Sequence, residues 1–97
     1  MLPMPRIVSL IDNEPAEQHA LKPGITSIGR SPKNQIRLPQ AAVSRHHANI
    51  ILNTEGYRIV DLGSDNGIFV NGQRVKEHQL ADGDIIQIGT QKLMYKN

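Results

Sequence analysis

The stretch YRIVDLGSDNGIFVNG, residues 57–72, contains the pattern that decides the fold. Two short apolar runs, at 57–60 and 68–70, are separated by a polar segment that contains two glycines. Runs rich in β-branched and aromatic residues, bounded by turn residues, predict β-strands. Asn71-Gly72, directly after the second run, is a strong signal for a two-residue type I′ hairpin turn. The stretch therefore predicts a strand, a loop, a second strand and a tight turn.

The same alternation of short apolar runs and turn residues extends along the whole chain. Strands are predicted at residues 6–11, 18–21, 25–28, 35–38, 47–52, 57–61, 68–70, 73–75, 85–88 and 91–95. Turns are predicted between them, among others at residues 12–15, 22–24, 31–34 and 53–56. Helical periodicity is absent, and about ten short strands bounded by turns indicate an all-β sandwich or barrel. We predict a single domain over residues 1–97, with its core between about residues 6 and 95.

Composition limits the class of protein. The hydrophobic share of 38% and the charged share of 21% are ordinary for a globular domain. The chain has no cysteine, which excludes disulfides and thiolate metal sites and agrees with a cytoplasmic location. No apolar run approaches the roughly 18 residues of a membrane span, and residues 1–6 lack the features of a signal peptide. Pro3 and Pro5 instead predict an extended segment, such as the end of a linker in a longer protein.

Three polar segments stand beside the ends of predicted strands. They are Gly29-Arg30, the Ser-Arg-His-His run at 44–47, and the Ser-Asp-Asn-Gly run at 64–67. Loops held at one end of a rigid sheet are where binding residues concentrate. If these segments meet there, they combine two arginines with hydroxyl, amide and backbone N–H donors. That set of groups is suited to binding an anion.

In this order and spacing, the segments resemble the forkhead-associated (FHA) domain family. The matching residues are Gly29-Arg30, Ser44, Arg45, His47, Asn66-Gly67, Phe69-Val70-Asn71-Gly72, Leu80 and Gly83-Asp84-Ile85. The resemblance covers nearly the whole chain, from about Arg6 to Tyr95. It implies a twisted β-sandwich of about eleven short, mainly antiparallel strands. It also implies recognition of phosphothreonine in an extended peptide that an upstream Ser/Thr protein kinase has phosphorylated, without catalysis, cofactor or metal.

The resemblance also assigns the residues that would bind the phosphopeptide. Arg30 is the expected phosphate clamp, because a guanidinium is always charged and offers a rigid fork of donors. Ser44 is expected to donate its hydroxyl to the phosphate, and Arg45 to contact the phosphate or the peptide beside it. Asn66 is expected to bind the peptide backbone, because its amide carries both a donor and an acceptor. A lone arginine or Asn-Gly pair is usually an ordinary surface or turn feature, so the ordered set carries the prediction.

Other residues are expected to hold the loops in shape. Gly29 would avoid a clash with the neighbouring loop, and Gly67 would permit a turn. Ser64 would order its loop with its hydroxyl, and by the resemblance His47 is a hydrogen-bonding buttress. His46 should be partly exposed, because neighbours in extended backbone point to opposite sides and cannot easily chelate one metal.

Asp65 is the point at which the sequence departs from the family pattern, which commonly has threonine or serine before the asparagine. A carboxylate about 4 Å from one phosphate charge costs roughly 1 kcal/mol in water-like surroundings and roughly 4 at an effective dielectric of 20. Asp65 could instead point away, pair with Arg30 or Arg45, or accept hydrogen bonds from the Asn66-Gly67 backbone. We expect it at the phosphopeptide site.

Three other functions fit parts of the sequence. A phospho-independent scaffold module of the same fold is the main alternative, and Asp65 favours it. A nucleic-acid binder is less favoured: the net charge of +2 comes from scattered residues, and the only aromatic side chains are Tyr57, Phe69 and Tyr95. A Ser-His-Asp hydrolase using Ser44, His47 and Asp61 lacks the nucleophile-elbow sequence around Ser44. Direct membrane insertion is not expected, and further domains of a longer protein are compatible with the chain.

Overall fold

The fold consists of β-strands throughout the part of the chain described. A computed structural model describes residues 4–97, so the extended segment predicted at Pro3 lies outside the described residues. The strands are β1 (Arg6–Ile11), β2 (Glu14–Ala20), β3 (Ile25–Gly29), β4 (Ile36–Arg37), β5 (Ala48–Asn53), β6 (Gly56–Asp61), β7 (Ile68–Val70), β8 (Gln73–Val75), β9 (Glu77–Gln79), β10 (Ile85–Ile88) and β11 (Gln91–Lys96). The all-β prediction is confirmed, as is the number of strands implied by the family resemblance. Among these elements there is no helix that could cross a membrane.

The strands form two sheets that enclose the core. One sheet has the order β2-β1-β11-β10-β7-β8, and the other has the order β4-β3-β5-β6-β9. Only the β3–β4 pairing is parallel among the strand pairs described. Ile7 of β1 lies opposite Tyr95 of β11, so the first and last strands of the domain are neighbours.

Alternate residues of the strands fill the space between the sheets. In β10, Ile86 and Ile88 are fully buried, whereas Ile85 and Gln87, which alternate with them, are partly exposed. This period of two is what a strand with one buried face produces. Fully buried aliphatic side chains come from both sheets: Ile7, Ile28, Ile50, Ile59, Ile68, Ile86, Ile88 and Leu93. Burial of one such side chain contributes roughly 1.5–3 kcal/mol, so this core stabilises the domain and fixes where its loops begin.

The prediction for β2 was wrong at its start. Only Asp12 and Asn13 of the predicted turn leave the strand conformation, with φ of 53° and 64°, and the strand already begins at Glu14. Pro15 lies opposite Leu10 within this strand. Because β2 is an edge strand, one side of it has no pairing partner, and a proline without an N–H is tolerated there. Most of β2 is exposed, so no apolar alternation marks it in the sequence.

Strand β9 was not predicted from the sequence pattern. Its sequence Glu-His-Gln is polar throughout, and it pairs only with β6, at the edge of its sheet. Arg58 of β6 and Glu77 of β9 form an ion pair at 2.7 Å across this edge. The hairpin at Asn71-Gly72 is as predicted, with φ of 50° and 85° as a type I′ turn requires.

A buried carboxylate ties the β7–β8 turn to the loop before β10. Asp84 accepts hydrogen bonds from the Ala81 N–H at 2.8 Å, Asn71 Nδ2 at 2.9 Å and His78 Nε2 at 3.1 Å. Burial acting alone would raise the pKa of Asp84, but these donors outweigh it and lower the pKa below its ordinary value. The charged form of Asp84 therefore stabilises the folded domain.

We expect this stabilisation to disappear in acid. At pH 7 the free energy of unfolding of Asp84→Asn should be about 1–3 kcal/mol lower than that of wild type, and its Tm should be lower, because hydrogen bonds to a charged group are lost. A lowered folded-state pKa gives stability that is present above the unfolded value, near 3.9, and lost as the pH falls through the folded value. The gap in Tm between the two proteins should thus narrow below about pH 4. A gap that stays constant from pH 7 to pH 3 would contradict this role.

Candidate anion-binding site

The three polar segments meet at one end of the sandwich. The first follows β3, the second precedes β5, and the third connects β6 to β7. The Arg30 N–H donates to the Ser44 carbonyl at 3.0 Å, and the Leu62 N–H donates to the His47 carbonyl at 2.9 Å. Backbone hydrogen bonds therefore place residues 44–47 between the other two segments.

Gly29 lies where no side chain fits. A Cβ at this position would overlap the carbonyl oxygen of Arg45 and would lie within 3.0 Å of Asn34 Nδ2. The end of β3 and the 44–47 segment can approach this closely only because residue 29 is glycine. This contact brings Arg30 beside Ser44.

His47 joins two of the segments from inside the domain. It is fully buried, its Nδ1 accepts the Ser44 N–H at 3.0 Å, and its Nε2 lies 2.8 Å from the Gly67 carbonyl oxygen. With Nδ1 acting as acceptor, Nε2 carries the proton and donates to Gly67. Both ring nitrogens are used in holding backbone. His46, the preceding residue, is exposed.

Ser64 orders the third segment from within. Its hydroxyl donates to Asp61 Oδ1 and accepts the Gly67 N–H, the latter at 2.9 Å. Gly67 has a φ of 79°, a conformation that favours glycine. The turn from Ser64 to Gly67 is thereby closed by a side chain, and it presents Asp65 and Asn66 at its exposed tip.

The tip of the third segment is bonded directly to the second. The Asp65 N–H donates to Ser44 Oγ at 3.2 Å, and Asn66 Nδ2 donates to the Ala42 carbonyl at 2.8 Å. Because Ser44 Oγ accepts here, its own hydrogen remains available to another acceptor. Asn66 likewise keeps its amide oxygen and its second N–H hydrogen.

Arg30 is exposed but held at its base. Its Nε donates to the Val43 carbonyl at 3.0 Å, and its two Nη groups make no hydrogen bond within residues 4–97. Arg45 is also exposed, and only its backbone carbonyl is engaged, by Asn34 Nδ2 at 2.7 Å and the Ser31 N–H at 3.2 Å. Two exposed arginines thus lie next to Ser44, one through the backbone hydrogen bond of Arg30 and one in sequence, with donors available for an anion.

The Asp65 carboxylate has no hydrogen-bond or ion-pair partner among residues 4–97. It does not pair with Arg30 or Arg45. Asp65 also accepts no hydrogen bond from the Asn66-Gly67 backbone among the described residues, and the Gly67 N–H donates to Ser64 Oγ instead. Asp65 therefore places an uncompensated negative charge at the exposed tip of the third segment.

The supporting roles of Asn34 and Asp61 were not predicted: Asp61, considered only for a hydrolase, accepts hydrogen bonds from the Ser64 N–H and hydroxyl. Asn34 is 8% exposed and donates to the carbonyls of Ser31 and Arg45, at 2.9 and 2.7 Å. Asn is frequent in turns for this reason, so the turn was predictable from the sequence. The hydrogen bond from Asn34 to the Arg45 carbonyl was not predictable, because the two residues are distant along the chain.

The hydrolase alternative is not supported by these contacts. His47 directs Nδ1 to a backbone N–H and not to the Ser44 hydroxyl, and Asp61 binds Ser64 instead of His47. A nucleophile needs a base within hydrogen-bond reach of its hydroxyl, and the base must itself be oriented by a third group. Within the described chain, no group of three His, Asp or Glu side chains could hold a metal ion.

The chain belongs to the FHA domain family, whose model matches residues 26–89. FHA domains are protein-interaction modules. One relative is the ABC transporter ATP-binding/permease protein Rv1747 of Mycobacterium tuberculosis, 44% identical over 75 residues, which are 77% of this chain and 9% of that protein. The chain covers between 9% and 50% of its curated relatives, so it corresponds to a part of those proteins.

Solved FHA domains share the whole architecture. A domain from a structural and functional analysis of phosphothreonine-dependent FHA domain interactions superposes with a TM-score of 0.88 at 34% identity, covering 98% of this chain and 97% of that one. Mycobacterium tuberculosis EmbR, solved in complex with a low-affinity phosphopeptide, gives a TM-score of 0.85 at 34% identity over 96% of this chain and 24% of EmbR.

Proposed function

We propose that this domain binds proteins through a phosphothreonine in an extended segment. The observation that carries the proposal is the arrangement around Ser44, whose hydroxyl hydrogen is free, beside Arg30, whose Nε is held by the Val43 carbonyl, and next to Arg45, whose backbone is held by Asn34. Phosphate oxygens accept charge-assisted hydrogen bonds from guanidinium groups, and these are the stronger class of hydrogen bond. The solved FHA domain studied for phosphothreonine-dependent interactions, and EmbR in complex with a phosphopeptide, support the same function.

The site residues divide the recognition between phosphate and peptide. Arg30, Ser44 and Arg45 bind the phosphate, and Asn66 binds peptide backbone with its free amide oxygen and hydrogen. Asp65 lies beside the phosphate and weakens its binding. Gly29, His47, Ser64 and Gly67 keep the loops in place, because these residues contact backbone or side chains of the neighbouring segments.

The proposed partner is a protein that a Ser/Thr protein kinase has phosphorylated, or another segment of the same parent protein. Since protein kinases use ATP, the interaction belongs in the cytoplasm. The domain acts by recognition without catalysis or cofactor. Residues 1–97 form one such domain. An oriented phosphothreonine peptide library should yield selected sequences, and the same library without phosphate should yield none. Equal selection from both libraries would favour the phospho-independent scaffold.

Asp65 provides a test of how the phosphate is placed. Because its carboxylate is unpaired, Asp65→Thr should strengthen phosphopeptide binding: a repulsion ends and a hydroxyl donor is added. The gain should be larger at low ionic strength, because salt screens exposed charges. We expect about a three- to tenfold gain, measured by calorimetry at two salt concentrations.

The unphosphorylated peptide is the control for Asp65→Thr, because it has no phosphate to repel. Glu55→Thr removes one negative charge from the distant β5–β6 hairpin and controls for net charge. Unchanged or weaker binding by Asp65→Thr, with no salt dependence, would show that the carboxylate does not face the phosphate.

A further inference from the structure

A basic surface cavity lies beside the site described above. Its volume is about 450 Å³. We call it the basic cavity, because five side chains with nitrogen donors line it: Arg30, Lys33, Arg37, Arg45 and His46. The rest of the lining is the turn residues Ser31 and Pro32, so no carboxylate contributes to the wall.

The positive charges of this cavity are not compensated within the domain. In the stretch from residue 4 to 97, none of its arginines or its lysine has a carboxylate oxygen within 4.0 Å. The exposed ion pairs of the domain lie elsewhere, as between Lys96 and Asp82. Four like charges around one cavity repel one another, and a bound anion removes that repulsion. The chemistry of the wall is therefore that of an anion site.

The cavity adjoins the phosphate site but is not the same place. Arg30 and Arg45 belong to both, whereas Ser44, Asp65 and Asn66 do not line the cavity. Lys33 and Arg37 line the cavity, and within residues 4–97 their side chains make no hydrogen bond to the Ser44 loop. The two arginines thus belong to both places, whereas Lys33 and Arg37 belong to the cavity alone.

The wall is held in shape before any ligand arrives. Arg37 Nε donates to the Arg30 carbonyl at 3.2 Å, and the Lys33 N–H donates to Ser31 Oγ at 3.2 Å. Buried Asn34 fixes the same turn to the carbonyl of Arg45. Donors that are already positioned lose less freedom on binding, which favours a ligand at this place.

We propose that the basic cavity is a second anion subsite, which takes a carboxylate or a second phosphate from the same peptide that carries the phosphothreonine. This rests on the proposed function. A cavity of this volume is roughly 10 Å across, and an extended chain advances about 3.3–3.6 Å per residue. The second anionic side chain therefore lies within about three residues of the phosphothreonine.

A scan of flanking residues tests the subsite. Phosphothreonine peptides with neutral flanks are compared with peptides that carry one glutamate, or one phosphoserine, at each of the three positions on either side. At one or two adjacent positions the anion should tighten binding about three- to tenfold at low salt, and less at high salt. Glutamate and phosphoserine at the same position distinguish the two sources of the charge.

Variants then assign the gain to the cavity. In the double variant Lys33→Gln, Arg37→Gln, the gain from the anion should vanish while the neutral peptide binds as before. The double variant Lys76→Gln, Lys92→Gln removes the same net charge from exposed positions outside the cavity and should keep the gain. Because Arg37 also contacts the Arg30 backbone, the single variant Lys33→Glu provides a second measurement and should reverse the preference from glutamate to lysine at that position.

The outcomes separate the subsite from the proposed function. A neutral-flank phosphopeptide that binds wild type with no gain from an anion at any position overturns the subsite alone. A gain that survives in Lys33→Gln, Arg37→Gln overturns it as well. If wild type binds none of the phosphopeptides, the proposed function and the subsite are overturned together.

Discussion

Replacing Arg30 with alanine should weaken phosphopeptide binding by about 10- to 150-fold and leave the fold intact. The estimate corresponds to the roughly 1.5–3 kcal/mol that a hydrogen bond to a charged group contributes. Arg30 is exposed, and among residues 4–97 its side chain makes one hydrogen bond, to the Val43 carbonyl, so the domain itself loses little. Calorimetric titration with a selected phosphothreonine peptide gives the change in Kd.

Two further variants sharpen this measurement. Arg30→Lys keeps the charge but loses the planar fork, and should fall between wild type and alanine. Arg58→Ala removes an arginine of β6 that pairs with Glu77 of the edge strand β9, away from the three polar segments. This variant should bind the phosphopeptide as wild type does. If Arg30→Ala and Arg58→Ala both bind as tightly as wild type, Arg30 is not the phosphate clamp.

Replacing His47 with alanine should destabilise the whole domain by about 3–5 kcal/mol. The imidazole is fully buried, so its removal leaves a cavity together with an unpaired N–H of Ser44 and an unpaired carbonyl of Gly67. Each unpaired buried group costs about 1–3 kcal/mol, and the cavity adds to this. A domain of this size should lose roughly 10 °C or more in Tm.

The neighbouring histidine is the matched control for this loss. His46 is exposed, so His46→Ala should change the free energy of unfolding by no more than about 0.5 kcal/mol. His47→Gln can still offer a donor and an acceptor, and should be more stable than His47→Ala. Equal stability of His46→Ala and His47→Ala in urea titrations would show that His47 does not hold the loops.

Periodicity and turn chemistry predicted most of the fold, for reasons visible in particular strands. The β7–β8 hairpin was predictable because Asn71-Gly72 adopts the positive φ values that few other pairs accept. Strand β9 was not, because all three of its residues are polar and only pairing with β6 makes it a strand. The start of β2 was missed for a similar reason: Pro15 is a turn residue by composition but stands in an edge strand.

The candidate site was predictable where one segment carries its own chemistry. Arg30, Ser44 and Asn66 could be singled out by residue type and by resemblance. The contacts that fix them could not, since the donor of Asn34 meets Arg45 only after the chain has folded. The basic cavity is invisible in the sequence for the same reason, because its cations are scattered between residues 30 and 46 and converge only in three dimensions.

The central claim is that binding depends on the phosphate of a phosphothreonine. Its most direct test is a calorimetric titration of the wild-type domain with one selected peptide in three forms, carrying phosphothreonine, phosphoserine or threonine. We expect tight binding of the first, no measurable binding of the third, and an intermediate Kd for phosphoserine, which lacks a methyl group worth roughly 0.8 kcal/mol when buried. The same Kd for the phosphothreonine and threonine peptides would contradict the claim.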